Sequence, residues 1–144
     1  MVRKAESCDI HTIAELAYQL WPDHTAADME AEMGVILAQE DAVFFLAFDG
    51  ATPIGFAQCQ LRHDYVEGTE SSPVGYLEGI YVADGYRNQG IARELLFACE
   101  NWAKEKGCLE FASDCELDNT QSLQFHLNVG FEEANRIICF TKKL

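Results

Sequence analysis

The 144-residue chain carries 24 Asp plus Glu against 10 Lys plus Arg, a formal net charge of −14 with a pI near 4.5. One domain of this length, 49% hydrophobic and 11% aromatic, is long enough to bury a sizeable core, which excludes disorder and leaves no room for a second module. So acidic a balance disfavours a basic phosphate-binding face, and with it nucleic acid and anionic membranes as partners; it is compatible with plain solubility or with a site for a cationic ligand.

In chain order, residues 2–4 read as a short first strand. Ile10, Ile13, Leu16, Ala17 and Leu20 then recur at helical spacing and stop at Trp21-Pro22. Thr25 with Asp28 resembles a capping box ahead of a second amphipathic helix through Met29, Met33, Ile36 and Leu37. Residues 42–48 form an apolar run, Asp49-Gly50 is a tight-turn dipeptide, and residues 54–61 alternate in polarity, which predicts an antiparallel hairpin. The polar stretch 62–73 predicts an exposed loop. Residues 74–82 return to strand character, with Gly79 marking a bulge or a close backbone approach. Residues 90–106 give the longest helical pattern, ended by Gly107. A strand at 109–113, a short helix at 119–129 and a last strand at 137–142 complete the chain. The alternation predicts an α/β (α+β) domain over 1–144. Its mixed, mostly antiparallel central sheet has about six to seven strands and is flanked by about four helices, covering both faces.

No apolar run is long enough to cross a bilayer, and residues 1–7 lack a hydrophobic segment of the signal-peptide kind, so a cytoplasmic protein is expected. The six cysteines contain no C-x-x-C pair and read as reduced thiols acting as small buried hydrophobes; the four histidines show no ligand spacing, and no metal is expected.

The chemically informative segment is 77–93, where a strand runs through Asp84-Gly85-Tyr86-Arg87-Asn88-Gln89-Gly90-Ile91-Ala92 directly into the long helix. Amides at a helix start have no intrahelical acceptor and carry the positive end of the macrodipole; Gly90 allows an anion to approach, and Arg87 and Arg93 add two of the ten cations. Read together, Arg87-x-x-Gly90-x-Ala92 resembles the Q/R-x-x-G-x-G/A motif of the GCN5-related N-acetyltransferases. Asn119 opens a helix that closes on Gly130-Phe131, with Ser122 at its small-residue position, and resembles a second block of that superfamily. Together with the preceding strand these blocks cover about the whole C-terminal half. The resemblance implies acetyl-CoA as acetyl donor. Its pyrophosphate would lie on the amides of Asn88, Gln89, Gly90, Ile91, Ala92 and Arg93, its pantetheine arm along the backbone of Ile80, Tyr81 and Val82, and Asn119 would touch the cofactor. An unpaired amide at the Gly79 bulge would stabilise the thioester oxyanion.

Leu20-Trp21-Pro22, the block Arg62-His63-Asp64-Tyr65-Val66-Glu67-Gly68 with Ser71-Ser72-Pro73, then Leu77-Glu78-Gly79-Ile80, and Ala112-Ser113-Asp114 are similar to the aminoglycoside 6'-N-acetyltransferases. That resemblance implies Trp21, Tyr65, Glu78 and Asp114 as lining for a cationic aminoglycoside, and places Asn135 at a pocket position that is usually acidic. The expected mechanism is direct attack of a primary amine on the thioester, with Glu78 as candidate base, Asp114 fixing or helping to deprotonate the same ammonium, and His126 where relatives carry a tyrosine that protonates the departing thiolate. Each residue has a bland alternative: Trp21 as a packed helix end, Tyr65 as a surface aromatic, Asp114 as a helix cap, His126 as a packed helix residue. Glu78 resists one, since a carboxylate within an apolar strand must be paired or face a cavity. A carboxylate-rich pocket also carries an internal conflict, because it binds ammonium well and makes it harder to deprotonate. Two other readings stand beside this one: an acetyltransferase of a polyamine or protein amino group, and a non-catalytic acyl-CoA sensor. The resemblance also implies a homodimer, formed in some relatives through the C-terminal strand, and residues 137–140 are apolar enough to serve as such an edge.

Overall fold

Residues 1–144 are described by a computed structural model. Its five strands are β1 (Val2–Lys4), β2 (Ala42–Asp49), β3 (Thr52–Arg62), β4 (Val74–Val82) and β5 (Phe111–Ser113), and they lie side by side in chain order in one sheet. Neighbours are antiparallel from β1 to β4, and β5 joins β4 in parallel. Four helices accompany them: α1 (Ile10–Leu20), α2 (Ala26–Leu37), α3 (Ile91–Glu105) and α4 (Thr120–Asn128). No helix is long and apolar enough to cross a membrane.

The alternating strands send side chains to two separate cores. Phe44, Leu46 and Phe56 pack against Ile13, Ala14, Leu16 and Ala17 of α1 and Met29 and Met33 of α2. On the opposite face Val43, Ala47, Ala57 and Leu77 meet Leu95, Leu96, Cys99 and Trp102 of α3, with Phe125 of α4 and Phe131 at the margin. Helices on both faces match the expectation. Thr25 caps α2, its hydroxyl accepting from the Asp28 amide at 3.1 Å, and Gly50 makes the hairpin turn with φ at +60°. All six cysteines are free; Cys59, Cys99 and Cys108 lie in the core, whereas Cys8, Cys115 and Cys139 are at the surface rather than buried.

Two expectations are corrected. The sheet has five strands, not six to seven: β5 begins at Phe111 rather than 109, and residues 137–142 form no strand. Ile137, Ile138 and Phe140 are instead 65%, 80% and 88% exposed. Their pattern is apolar on both faces, so a strand there needs cover on both sides as well as a paired edge, and the chain's own elements bring it neither. The β4 bulge also sits one residue earlier than expected. Gln58 faces Gly79 and Cys59 faces Leu77, so Glu78 is the extra, unpaired residue.

Candidate functional site

The site forms where β4 loses its second neighbour. β5 pairs only with Gly75, Tyr76 and Leu77, and from Glu78 to Val82 the outer edge of β4 has no strand beside it while β3 still holds the inner edge. Ladder bonds alternate: the Ala83 amide bonds to the Ile54 carbonyl of β3, so Tyr81 turns to β3 as well, and the N–H and C=O groups of Ile80 and Val82 face the open edge, the Val82 carbonyl accepting from Arg87 Nε. Gly79 is needed for a different reason than the bulge: a Cβ there would lie 2.5 Å from Trp21 Cη2. The Trp21 indole, leaving the end of α1, lies on the β4 backbone and meets Phe56 edge-on with ring centroids 6.1 Å apart.

Beyond Val82 the chain turns through three left-handed residues, Gly85 (φ +87°), Asn88 (φ +61°) and Gly90 (φ +81°), before α3 begins. A Cβ at Gly90 would meet open space, so a phosphate-sized anion can approach this backbone. The first amide of this stretch with a backbone acceptor is that of Glu94, bonded to the Gly90 carbonyl; the amides of Asn88 to Arg93 have none. These are the properties of an anion cradle at a helix start. Arg87 is folded under the loop, its Nε donating to the Val82 carbonyl at 2.9 Å and its guanidinium 3.3 Å from Asp84. Arg93 reaches the Asn128 carbonyl at 3.2 Å. Asn119 caps α4, its carbonyl oxygen accepting from the Ser122 amide at 3.0 Å.

On the other side of the Glu78 bulge lies a second, acidic cluster. Both Glu78 oxygens accept from Arg62, at 2.9 Å from Nε and 2.9 Å from Nη2. The Arg62 guanidinium rests 3.4 Å over the Tyr76 ring, and the Tyr76 hydroxyl donates to Asp114 Oδ2. The hydrogen bond to Glu78 raises the Arg62 pKa above its ordinary value. Burial, with the Asp114 hydrogen bond second, pushes the Tyr76 phenol up, so it stays a neutral donor. The carboxylate placed in an apolar strand is therefore paired, and Asp114 is held by a phenol rather than capping a helix. Arg62 and Tyr76 were not among the expected site residues. The available signal was Glu78 itself, whose burial demands a cation in a chain that has only ten Lys plus Arg.

The remaining expected residues are dispersed around this cluster. The Tyr65 side chain stands 76% exposed in the loop after β3. Asn135 donates to Glu67 Oε1 of the same loop at 3.0 Å, and Ala134 lies against Gly68. His126 is engaged at both ring nitrogens: Nδ1 lies 2.7 Å from the Ser122 carbonyl and Nε2 2.7 Å from the Ser113 hydroxyl. A carbonyl can only accept, so Nδ1 carries a proton; the Ser113 hydroxyl, which also lies 3.4 Å from the Leu77 carbonyl, is the partner of Nε2. The ring also packs 5.7 Å from Phe125 and 5.0 Å from Phe131, centroid to centroid. Ser113 is a further contact absent from the expected site residues; it ends β5 opposite Leu77, where the two strands part. No cluster of three or more His, Cys, Asp or Glu side chains has metal-binding geometry.

Comparison with known proteins adds to this geometry. Residues 10–131 match the acetyltransferase (GNAT) family. The chain is 39% identical over 143 residues to an aminoglycoside N(6')-acetyltransferase type 1 from Acinetobacter haemolyticus, spanning 99% of this chain and 98% of that protein. It is 43% identical over 145 residues to the protein of the same name from Stenotrophomonas maltophilia, spanning 99% and 93%. Among solved structures, AAC(6')-Iy in complex with the bisubstrate analog CoA-S-monomethyl-acetylneamine superposes with a TM-score of 0.96 at 38% identity, covering 100% of this chain and 98% of that one.

Proposed function

The chain belongs to the acetyltransferase (GNAT) family, and from that premise we infer that it is an aminoglycoside 6'-N-acetyltransferase, moving acetyl from acetyl-CoA to the 6'-amino group of aminoglycoside antibiotics and so conferring resistance to them. The observation that carries this reading is the juxtaposition of two carboxylates, Glu78 and Asp114, with the open edge of β4 and the anion cradle at the start of α3. One side suits a pyrophosphate, the other a polyamine sugar. The curated relatives' shared name and the bisubstrate analog bound by a close structural neighbour support the same pairing of substrates.

In this reading the amides of Asn88, Gln89, Gly90, Ile91, Ala92 and Arg93 receive the pyrophosphate, with Arg87 and Arg93 beside it. The segment Ile80, Tyr81 and Val82 lies along the pantetheine arm, with the backbone groups of Ile80 and Val82 facing it, and Asn119, whose carbonyl oxygen caps α4, keeps its side-chain NH2 for the coenzyme. When bound, acetyl-CoA supplies an activated acyl group. An amide of the bulged strand at Glu78–Gly79 donates to the thioester carbonyl as charge develops on its oxygen. Trp21 and Tyr65 flank the sugar, Asp114 holds the 6'-ammonium, and Glu78 takes its proton through a water, each oxygen keeping a lone pair beyond the one given to Arg62. At neutral pH an amine of pKa about 10.4 needs roughly 4–5 kcal/mol to shed that proton, which makes a base worthwhile. His126 acts as a positioning residue, holding Ser113 where the strands part, since both of its nitrogens are already engaged.

A homodimer belongs to the same proposal. Asn135 and Ala134 tie the root of the C-terminal segment to the acceptor loop, after which Ile137, Ile138 and Phe140 run exposed. A second copy offers these residues both a strand edge and apolar cover.

Steady-state assays of kanamycin and tobramycin beside spermidine and a histone peptide test the activity. Thiol release is expected with the aminoglycosides. Transfer confined to spermidine or the peptide, or tight coenzyme binding without thiol release from any amine, overturns the reading.

A further inference from the structure

We propose that Arg62 is the residue that sets the protonation state of the acceptor amine: by neutralising Glu78 in a bidentate pair it leaves Asp114 as the single uncompensated carboxylate at the amine, and so keeps the bound ammonium easy to deprotonate. This rests on the aminoglycoside reading and resolves the conflict inherent in an acidic pocket for a cationic nucleophile.

The geometry is specific. A guanidinium is an unexpected guest in a site for cations, yet Arg62 is locked there three ways. It makes two parallel hydrogen bonds to Glu78, stacks on Tyr76 at 3.4 Å, and through that phenol is linked to Asp114. Fork-to-fork pairing and stacking fix the orientation of a guanidinium, whereas an ammonium at the same place would supply the charge alone. The charged and titratable groups facing the pair are few. β4 contributes Tyr76 and Glu78, the residue after β5 contributes Asp114, and α1 contributes only the uncharged Leu20 and Trp21 against Gly79. His63, next to Arg62, is turned to Asp41 at 2.9 Å.

With Arg62 in place, an incoming ammonium meets a net charge close to that of one carboxylate. Without it, the same ammonium meets two. Each added carboxylate favours the protonated amine, which tightens ground-state binding and raises the pKa that has to be overcome. The proton then leaves the nitrogen for the Glu78-bound water, and the freed lone pair forms the N–C bond to the thioester carbonyl. The nitrogen then gives up its second proton to solvent, the C–S bond breaks, and the sulfur leaves as CoA thiolate, which takes up a proton from solvent, so one proton is released for each amide and thiol formed. Only the first of these events depends on Arg62. An ammonium that is easier to deprotonate asks less of the base that takes its proton.

The test compares wild type, Arg62→Gln and Arg62→Lys with tobramycin as acceptor, measuring kcat and KM against pH, and buffer-dependent calorimetry of tobramycin binding to count released protons. Wild-type turnover of tobramycin is the control: its absence removes the underlying activity and leaves nothing for Arg62 to tune. Given turnover, Arg62→Gln is expected to move the rising limb of kcat upward by about one pH unit, to lower KM severalfold, and to release fewer protons on binding. Arg62→Lys, which keeps the charge, is expected to hold the limb near its wild-type position. An unmoved limb overturns the proposal. It does so whether KM rises, as for a merely structural arginine, or falls, as for one that only competes with substrate. Unchanged proton release overturns it independently of turnover.

Discussion

A carboxylate in the middle of an apolar strand has to find a cation, and Glu78 finds Arg62 across the sheet. The same demand recurs at Asp9, which is only 7% exposed and accepts from both Arg3 guanidinium nitrogens at 2.8 Å and from the Glu6 amide at 2.8 Å. Those bonds, Arg3 first, lower the Asp9 pKa. A carboxyl lowered on folding contributes stability that is present above its unfolded pKa, near 4, and is lost as pH falls through the folded value. Asp9→Asn is therefore expected to cost about 1–2 kcal/mol of unfolding free energy at pH 7, with the difference from wild type shrinking below pH 4 in denaturant titrations. A constant difference down to pH 2 argues against that ion pair as its source. His126 yields the opposite kind of prediction. With Nδ1 on the Ser122 carbonyl, Nε2 on Ser113 and its ring between Phe125 and Phe131, His126→Ala is expected to destabilise by roughly 1–3 kcal/mol and to leave turnover within about threefold. A turnover loss of a hundredfold in a variant with unchanged Tm would instead make it the acid for the thiolate.

Among elements, β4 carries most of the design. Its bulge at Glu78 re-aims a carboxylate, its glycine at 79 admits Trp21, and its release from β5 after Leu77 leaves its outer edge open. The glycine and the carboxylate were visible as interruptions of an apolar run, whereas the extra residue in the register was not, because register depends on β3 and not on β4 alone. Gly79→Ala is expected to displace the Trp21 ring, raising aminoglycoside KM about tenfold with a smaller change in the KM for acetyl-CoA, and to cost about 1–3 kcal/mol. Equal effects on both KM values would detach Trp21 from the acceptor side. The start of α3 was legible in detail, since helix-start amides are unsatisfied in any context and a glycine at the cap signals the open approach.

Across the whole molecule, the proposed function would divide the charge of −14 by ligand. Arg87 and Arg93 stand at the anion cradle, while Asp114, the loop residue Glu67 and a compensated Glu78 stand on the acceptor side. The sheet ends at a three-residue β5, and the apolar segment after Arg136 lies outside it. Removal of residues 137–144 is expected to convert a dimer into a monomer by sedimentation equilibrium while leaving Asn135 and Ala134 against the loop after β3. An intact chain that sediments as a monomer removes the dimer from the proposal.

Local patterning by itself determined the two helical layers, the hairpin, the anion-ready turn into α3 and the need of Glu78 for a partner, since periodicity, turn chemistry and desolvation act over a few residues. Tertiary structure alone decided which cation that partner is, that Tyr76 ties it to Asp114, that His126 spends both nitrogens inside the protein, and that residues 137–142 find no strand to pair with in their own chain. Those outcomes depend on contacts between elements far apart in sequence, where register and packing, rather than local propensity, set what each side chain meets.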